Sequence, residues 1–189
     1  LKKAKVDNFF SVQTILKHGN KRIYYGNVNG KISKNEKILL LPSRQECKVA
    51  NIYNNNKNHK FFSGKNQISL ELSGQFDIGR GNVFTWKNTK LELGDFFNAN
   101  VILTSKDSIC KGREYSIRIT NQEAPIVITK VKGEIDIHNH VKKKSILGIN
   151  DFGIVEFKTR KPIIFSEVKN IEEFSKFIII DNITNNVIA

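Results

Sequence analysis

A pair of histidines is the sequence feature closest to a metal site. His138 and His140 stand two positions apart in a segment that we expect to be a strand, so both imidazoles would leave the same face and could supply two metal ligands. Asp136 has the same parity, but a basic neighbourhood follows at 142–144 and a third ligand is missing. The sequence therefore favours a solvated strand face over a metal site.

An arginine between two glycines could approach a phosphate closely. The segment Gly79-Arg80-Gly81 follows Asp77 and Ile78, and we favour a tight turn in which Asp77 and Arg80 pair or cap the backbone. The chain contains neither G-x-x-x-x-G-K-[ST], which cradles a triphosphate, nor G-x-S-x-G, which marks a nucleophile. We thus predict no catalytic, cofactor-binding or metal-binding residue in residues 1–189.

Aromatic residues lie beside basic ones in two places, an arrangement that suits stacking on single-stranded nucleic acid. These are the segments 22–25 (Arg-Ile-Tyr-Tyr) and 60–62 (Lys-Phe-Phe). Because side chains alternate along a strand, adjacent Phe61 and Phe62 point opposite ways and one of them can be exposed. Core packing is the expected use of most of these rings.

The basic charge of the chain is concentrated in its first half. Residues 1–88 carry 16 Lys and Arg against five Asp and Glu, whereas residues 89–189 carry 15 against 13. A local positive field favours an anionic partner, which could be nucleic acid, a nucleotide or an acidic protein face, although solubility alone would also account for it. The 39% of hydrophobic residues exclude a disordered chain, and no apolar run approaches the roughly 20 residues of a membrane span.

The two cysteines and the start of the sequence are informative about the cellular compartment of the protein. Cys47 and Cys110 have no C-x-x-C spacing, so we interpret both as buried thiols in a reducing compartment. The chain opens with Leu1, contains no Met and lacks the apolar segment of a signal peptide. We therefore expect an internal fragment of a longer cytoplasmic protein.

Strand signals separated by turn residues recur along the whole chain, a spacing typical of antiparallel barrels. Alternation within Gln67–Ser73 puts one face in a core and the other in water, Asn29-Gly30 predicts a hairpin turn, and residues 54–60 predict an exposed loop. Only Val168, Ile171 and Phe174 show helical spacing, and the uninterrupted apolar run 177–180 predicts a strand covered on both faces. The predicted strands are 9–16, 22–28, 37–41, 46–53, 67–72, 82–86, 95–104, 114–120, 125–137, 153–158, 162–165 and 177–181.

This pattern predicts an all-β fold of two small antiparallel β-barrels, residues 1–88 and residues 89–189. Three segments of the first half, in order, resemble the second domain of translation-factor-like GTPases. They are Ser11-Val12-Gln13, residues 24–43 with YYGNVNGKISKNEKI followed by LPS, and residues 63–83 with SG followed by FDIGRGNV. The resemblance implies Greek-key barrels like domains 2 and 3 of an elongation factor.

Two segments of the second half make the resemblance more specific, because they point to one family among these GTPases. Residues 147–153 (LGINDFG) and 177–187 (FIIIDNITNNV), together with the Asp-Ile-x-Arg-Gly element, are similar to the GTP-binding subunit of sulfate adenylyltransferase. The chain departs from the family pattern at Ser11, at Asn35-Glu36 in place of Gly-Asp, at Leu103 in place of Trp, and at Ser175-Lys176 in place of Gly-Ser.

The resemblance implies a regulatory barrel module without a bond-making residue of its own. A partner subunit would make adenosine 5′-phosphosulfate and pyrophosphate from ATP and sulfate, while GTP and Mg²⁺ would bind a GTPase domain preceding Leu1 and GTP hydrolysis would drive that step. Expected partners are this GTPase domain and the catalytic subunit, without membrane attachment. Two alternatives stay open: an RNA- or tRNA-binding double barrel of the translation-factor type, and a stand-alone enzyme.

Overall fold

The fold is built almost entirely of β-strands, which confirms the predicted all-β class. The computed structural model describes residues 8–19, 21–86, 89–106, 109, 111–136, 138, 140–167 and 171–189. The chain divides into two compact units. The first is Leu1–Glu92 with Thr120–Gln122 and Ser166–Ser175, and the second is Leu93–Ile119, Glu123–Phe165 and Lys176–Ala189. Asn88, where the sequence divides the two predicted barrels, lies outside the described residues.

A closed antiparallel barrel forms the first unit. Six strands pair in the ring β3-β7-β1-β2-β6-β4 and back to β3, and β5 adds to β4 as a seventh strand. Closure leaves no strand of the ring with an unpaired edge. The strands are β1 (Phe9–His18), β2 (Lys21–Ser33), β3 (Lys37–Leu41), β4 (Gln45–Asn54), β5 (Lys57–His59), β6 (Phe61–Ser73) and β7 (Val83–Thr85).

Within Gln67–Ser73, alternate side chains fill the barrel interior as predicted, with one exception. Ile68, Leu70 and Leu72 are buried as predicted, and Ser73 is exposed. Glu71 was expected in water with Ser73, but it is only 9% exposed. Its carboxylate is enclosed by polar partners from neighbouring strands, which the period-two pattern does not reveal.

The predicted hairpin at Asn29-Gly30 is wrong. Strand β2 runs without a break through both residues, and β6 pairs with it over this stretch, Asn29 opposite Lys65 and Gly30 opposite Gly64. Gly30 has a φ of +100°, and the side chain of Asn8 lies where a β-carbon would stand, so both the backbone and the space favour glycine. The Asn-Gly pair therefore accommodates a close contact within a long strand instead of reversing the chain.

The polar segment 54–60 forms a hairpin where the sequence predicted an exposed loop. Its exposure is as expected, but Asn54 ends β4 and Lys57 begins β5. Asn55 and Asn56 both have positive φ, 49° and 61°, the backbone geometry that a two-residue hairpin turn requires.

An antiparallel sheet in the order β13-β9-β10-β12-β8, with β11 paired to β10, forms the second unit. Phe97 of β8 packs on Phe157 and Phe177 at ring-centroid distances of 5.5 and 6.4 Å. Because Phe177 adjoins β13, these rings bring the two ends of the sheet order together across a shared core. The strands are β8 (Glu92–Ile102), β9 (Glu114–Ile119), β10 (Gln122–Ile135), β11 (Val141–Lys142), β12 (Phe152–Phe165) and β13 (Ile178–Asp181).

Two details of this half differ from the sequence prediction. Segments 153–158 and 162–165 are one strand, because β12 continues through Pro162. Ile178 is 37% exposed, so the run 177–180 is not covered on both faces. The helical spacing at Val168, Ile171 and Phe174 falls in a segment of the first unit and yields a single 3₁₀ turn, Glu172–Phe174, which agrees with the short extent of that spacing; Phe174 is buried, and Val168 lies outside the described residues. No helix in the described part of the chain is long and apolar enough to cross a bilayer.

Candidate functional site

The outer face of β2 and β6 carries the exposed ring of Phe61, which the sequence singled out, beside Lys31, which it did not. In this antiparallel pair, residues opposite each other share a face, and Lys31 lies opposite Ser63 and Ser33 opposite Phe61. Phe61 is 60% exposed, and the Lys31 ammonium lies 5.8 Å from the centroid of its ring, within cation–π range. Ile32 on the opposite face is fully buried. The prediction that Phe61 and Phe62 point opposite ways is confirmed, since Phe62 packs against the core.

This face continues along both strands to Tyr25, which lies opposite Ser69 and donates a hydrogen bond to Gln67. From this pair to the Ser33–Phe61 pair, the face extends over eight residue-to-residue steps, about 27 Å at the usual antiparallel rise. We call it the outer stripe. Its members are Tyr25, Asn27, Asn29, Lys31, Ser33, Phe61, Ser63, Lys65, Gln67 and Ser69. None of these residues is acidic, although Lys65 pairs with Glu173 at 2.6 Å.

Two carboxylates of the first unit are occupied by internal partners. The Glu36 carboxylate accepts hydrogen bonds from the Trp86 indole at 2.7 Å and the Ser33 amide at 2.8 Å. Glu71 accepts from Asn51, and this bond, with those from Lys21 and Tyr53, holds the pKa of Glu71 below its usual value against the opposing effect of burial. Both carboxylates are thus held by contacts within the first unit.

The glycine-flanked arginine lies in a tight turn, but another residue caps it. The Asn82 side chain accepts a hydrogen bond from the Gly79 amide at 2.7 Å, and the Gly81 amide donates to the Val12 carbonyl at 3.0 Å. Among the described residues, no salt bridge joins Asp77 to Arg80, which is exposed. The sequence thus predicts the turn and assigns its cap to the wrong side chains.

The histidine pair stands in a turn and not on a strand, which corrects the expectation. Strand β10 ends at Ile135, and the Asp136 carboxylate accepts backbone hydrogen bonds from His138 and His140, both at 2.9 Å. These backbone bonds, that of His140 foremost, lower the pKa of Asp136. Asp136 therefore caps a turn, and within the described ranges no group of three His, Cys, Asp or Glu side chains converges to hold a metal ion.

Motif residues of the second unit also cap turns. The Asp151 carboxylate accepts from the Gly148 amide and pairs with Lys144, both at 2.6 Å, and these contacts lower its pKa. Asp181 is 1% exposed, pairs with Arg113, and accepts from the amides of Ile183 and Thr184. Asp151 of LGINDFG and Asp181 of FIIIDNITNNV thus hold the backbone of their own turns.

Departures from the family pattern are accommodated locally. Asn35, in place of Gly, has a φ of 67°, a left-handed conformation that Asn tolerates better than most residues. Leu103, in place of Trp, is fully buried, and Ser11, in place of Pro, accepts a hydrogen bond from Asn121 at 3.0 Å. Cys47 is buried as predicted, which raises the pKa of its thiol to about 11, while Cys110 lies outside the described residues.

The chain resembles longer proteins over most of its length. It is 24% identical over 183 residues to the bifunctional enzyme NodQ of Rhizobium sp. (strain BR816), covering 95% of this chain and 29% of NodQ. It is 26% identical over 160 residues to sulfate adenylyltransferase subunit 1 of Shewanella woodyi (strain ATCC 51908 / MS32), covering 83% of this chain and 34% of that subunit. The chain thus spans about a third of the length of these relatives.

Translation factors share the fold. The crystal structure of Sup35 complexed with GDP superposes with a TM-score of 0.88 at 20% identity, covering 99% of this chain and 47% of Sup35. The apo form of elongation factor SelB from Methanococcus maripaludis gives a TM-score of 0.75 at 14% identity, covering all of this chain and 43% of SelB. A family model of the GTP-eEF1A C-terminal domain-like type matches residues 96–189. Residues 96–189 are therefore similar to the GTP-eEF1A C-terminal domain-like family.

Proposed function

We propose that this chain is the non-catalytic double-barrel module of the GTP-binding subunit of a sulfate adenylyltransferase. The observation that carries the proposal is the similarity, across both halves of the chain, to proteins named sulfate adenylyltransferase subunit 1 and NodQ. In the proposed enzyme, a catalytic partner subunit joins ATP and sulfate into adenosine 5′-phosphosulfate and releases pyrophosphate. GTP hydrolysis, with Mg²⁺, takes place on a GTPase domain of the same polypeptide as the barrels and drives that step.

The side-chain contacts support a module that binds and relays. Asn82, Asp136, Asp151 and Asp181 each use a side-chain oxygen to accept backbone amides, which fixes turns. A rigid module can report the nucleotide state of a neighbouring domain only if its contacts differ between the two states. The barrels would act in the cytoplasm by binding partners through their surfaces. None of their residues would make or break a covalent bond.

A competition assay tests this proposal. The 189-residue chain is added in excess to a reconstituted sulfate adenylyltransferase of catalytic and GTP-binding subunits, and the GTP-dependent rate of adenosine 5′-phosphosulfate formation is measured. We expect the chain to lower this rate by occupying the catalytic subunit, while having no GTPase or adenylyltransferase activity alone. A Gly26→Ala chain, whose first barrel we expect to be disrupted, is the control. An unchanged rate at saturating excess of the folded chain would contradict the proposal.

A second candidate function, RNA binding, is favoured by one observation, the outer stripe. It combines an exposed Phe61, the Lys31 ammonium beside its ring and hydrogen-bonding side chains on a face without acidic members. Lysines neutralise phosphates and an exposed ring stacks on bases, so single-stranded RNA would bind with a steep salt dependence.

Titrating tRNA at two salt concentrations distinguishes the two candidates. If RNA is the partner, Lys31→Glu and Phe61→Ala weaken binding, whereas Lys158→Glu, the same charge change on an exposed residue of β12, weakens it less. If tRNA does not bind, or if its affinity does not change with salt concentration, RNA is excluded as the partner.

A further inference from the structure

A cleft of about 540 Å³ lies against β1, β2 and β6 of the first unit. Its volume falls within the range of small-molecule sites. Every residue that lines it belongs to the first unit, which includes the turn Thr120–Gln122 and the segment Ser166–Ser175. The lining residues are Phe9, Ser11, Asn27, Lys65, Asn66, Gln67, Thr120, Asn121 and Glu173.

Thr120 combines two unusual features at this cleft. Its φ is +51°, a left-handed conformation that is an outlier for a β-branched residue. Its hydroxyl oxygen is buried and has no hydrogen-bond partner in the described part of the chain. A strained backbone and an unsatisfied buried polar atom each cost free energy, and such features concentrate at sites where a ligand supplies the missing partner.

The other polar groups of the cleft are amides with unused donors and acceptors. Asn121 donates to Ser11 at 3.0 Å, and the Asn66 oxygen accepts from the Gln67 amide at 2.8 Å. Within the described ranges, the Asn121 oxygen, the Asn66 amino group and the whole Asn27 amide make no side-chain hydrogen bond. Lys65 and Glu173 neutralise each other at 2.6 Å. The cleft therefore suits a neutral ligand that both donates and accepts hydrogen bonds.

We propose that this cleft binds the base of a free nucleoside or nucleotide. A heterocyclic base presents adjacent donors and acceptors on its edge, which Asn and Gln amides complement. A mononucleotide is also of a size that the cleft volume can hold. The proposal does not depend on the proposed function of the chain, because it rests on residues of the first unit alone.

Backbone amide NMR of the 189-residue chain tests the proposal with three probes: adenosine, adenosine 5′-monophosphate and inorganic phosphate. We expect saturable shifts at the amides of Gln67, Thr120 and Asn121 with both adenosine compounds, at a Kd of about 1 mM or tighter. Inorganic phosphate should leave these amides unshifted. If phosphate alone reproduces the shifts, or if neither adenosine compound produces them, the cleft is not a base-binding site.

Two variants test which groups hold the base. Thr120→Val keeps the β-branched shape and removes the unpartnered hydroxyl, and Asn27→Ala removes an unused amide. Each should weaken adenosine binding by roughly fivefold or more, the loss of one hydrogen bond. Ser63→Ala, an exposed serine of the same strand β6 outside the cleft, should bind as the wild type does. Thr120→Val should not lower the unfolding midpoint, and undiminished affinity in both cleft variants would overturn the proposal.

Discussion

Replacing Glu71 by Leu should destabilise the first barrel by about 3 kcal/mol. The carboxylate accepts hydrogen bonds from Asn51 at 2.8 Å and Tyr53 at 3.0 Å, and it is 9% exposed. A hydrogen bond to a charged group contributes at least about 1.5 kcal/mol, and Leu would leave both donors unpaired. We add nothing for the ion pair with Lys21, because the lysine side chain is 62% exposed.

Urea unfolding followed by Trp86 fluorescence measures this loss. Trp86 is the only tryptophan and packs against the core of the first barrel, so its signal reports that unit. Glu71→Gln is the matched variant, since it keeps the shape and one acceptor and should cost less than Leu. A loss below about 0.5 kcal/mol for Glu71→Leu, the size of an ordinary surface substitution, would refute this account of the buried carboxylate.

The pH dependence of the same measurement has a definite sign. Because the folded-state pKa of Glu71 is lowered, its contribution is fully present above the unfolded pKa and is lost as the pH falls through the folded pKa. The stability difference between wild type and Glu71→Gln should therefore be largest near neutral pH and shrink below about pH 4. A difference that stays constant or grows on acidification would show that the carboxylate is not held ionised by its partners.

Three further substitutions or reactions test other contacts. Gly26→Ala should cost about 3 kcal/mol in urea unfolding, because a methyl group there would overlap the carbonyl of Ser11; a neutral result would contradict the packing. Asn35→Val should cost about 1–2 kcal/mol at its positive φ, whereas Asn35→Gly should be nearly neutral; equal effects would argue against the left-handed backbone. In a Cys110→Ser chain, iodoacetamide at pH 8 should alkylate Cys47 only as fast as the barrel opens, since burial raises its thiol pKa to about 11; labelling at the rate of a free thiol would show an open site.

Period-two alternation and turn residues were enough to predict most strands, because a barrel strand buries one face and exposes the other. Strand β3 has its predicted bounds, 37–41, and Ile68, Leu70 and Leu72 are buried as expected. The same reasoning failed at Asn29-Gly30, where a hairpin-forming pair lies within β2. Only the pairing of β2 with β6 and the position of Asn8, both distant in sequence, decide that the chain continues.

Features of the candidate sites depended on contacts that local patterns do not encode. Strand parity predicted that one of Phe61 and Phe62 can be exposed, but the exposure of Phe61 and its cation–π contact with Lys31 required the register of two strands. The buried state of Glu71 depends on Asn51 and Tyr53 of β4, 18 or more positions away. The strain at Thr120 and the cleft beside it carried no signal in composition or spacing.

The central proposal is that this chain is a relay module of a sulfate adenylyltransferase, and complex formation tests it most directly. The 189-residue chain is mixed with the catalytic sulfate adenylyltransferase subunit of the same organism, and the mass of the complex is measured by light scattering during gel filtration. The proposal predicts coelution as a stable complex that withstands moderate salt. Separate elution of the two proteins would contradict it.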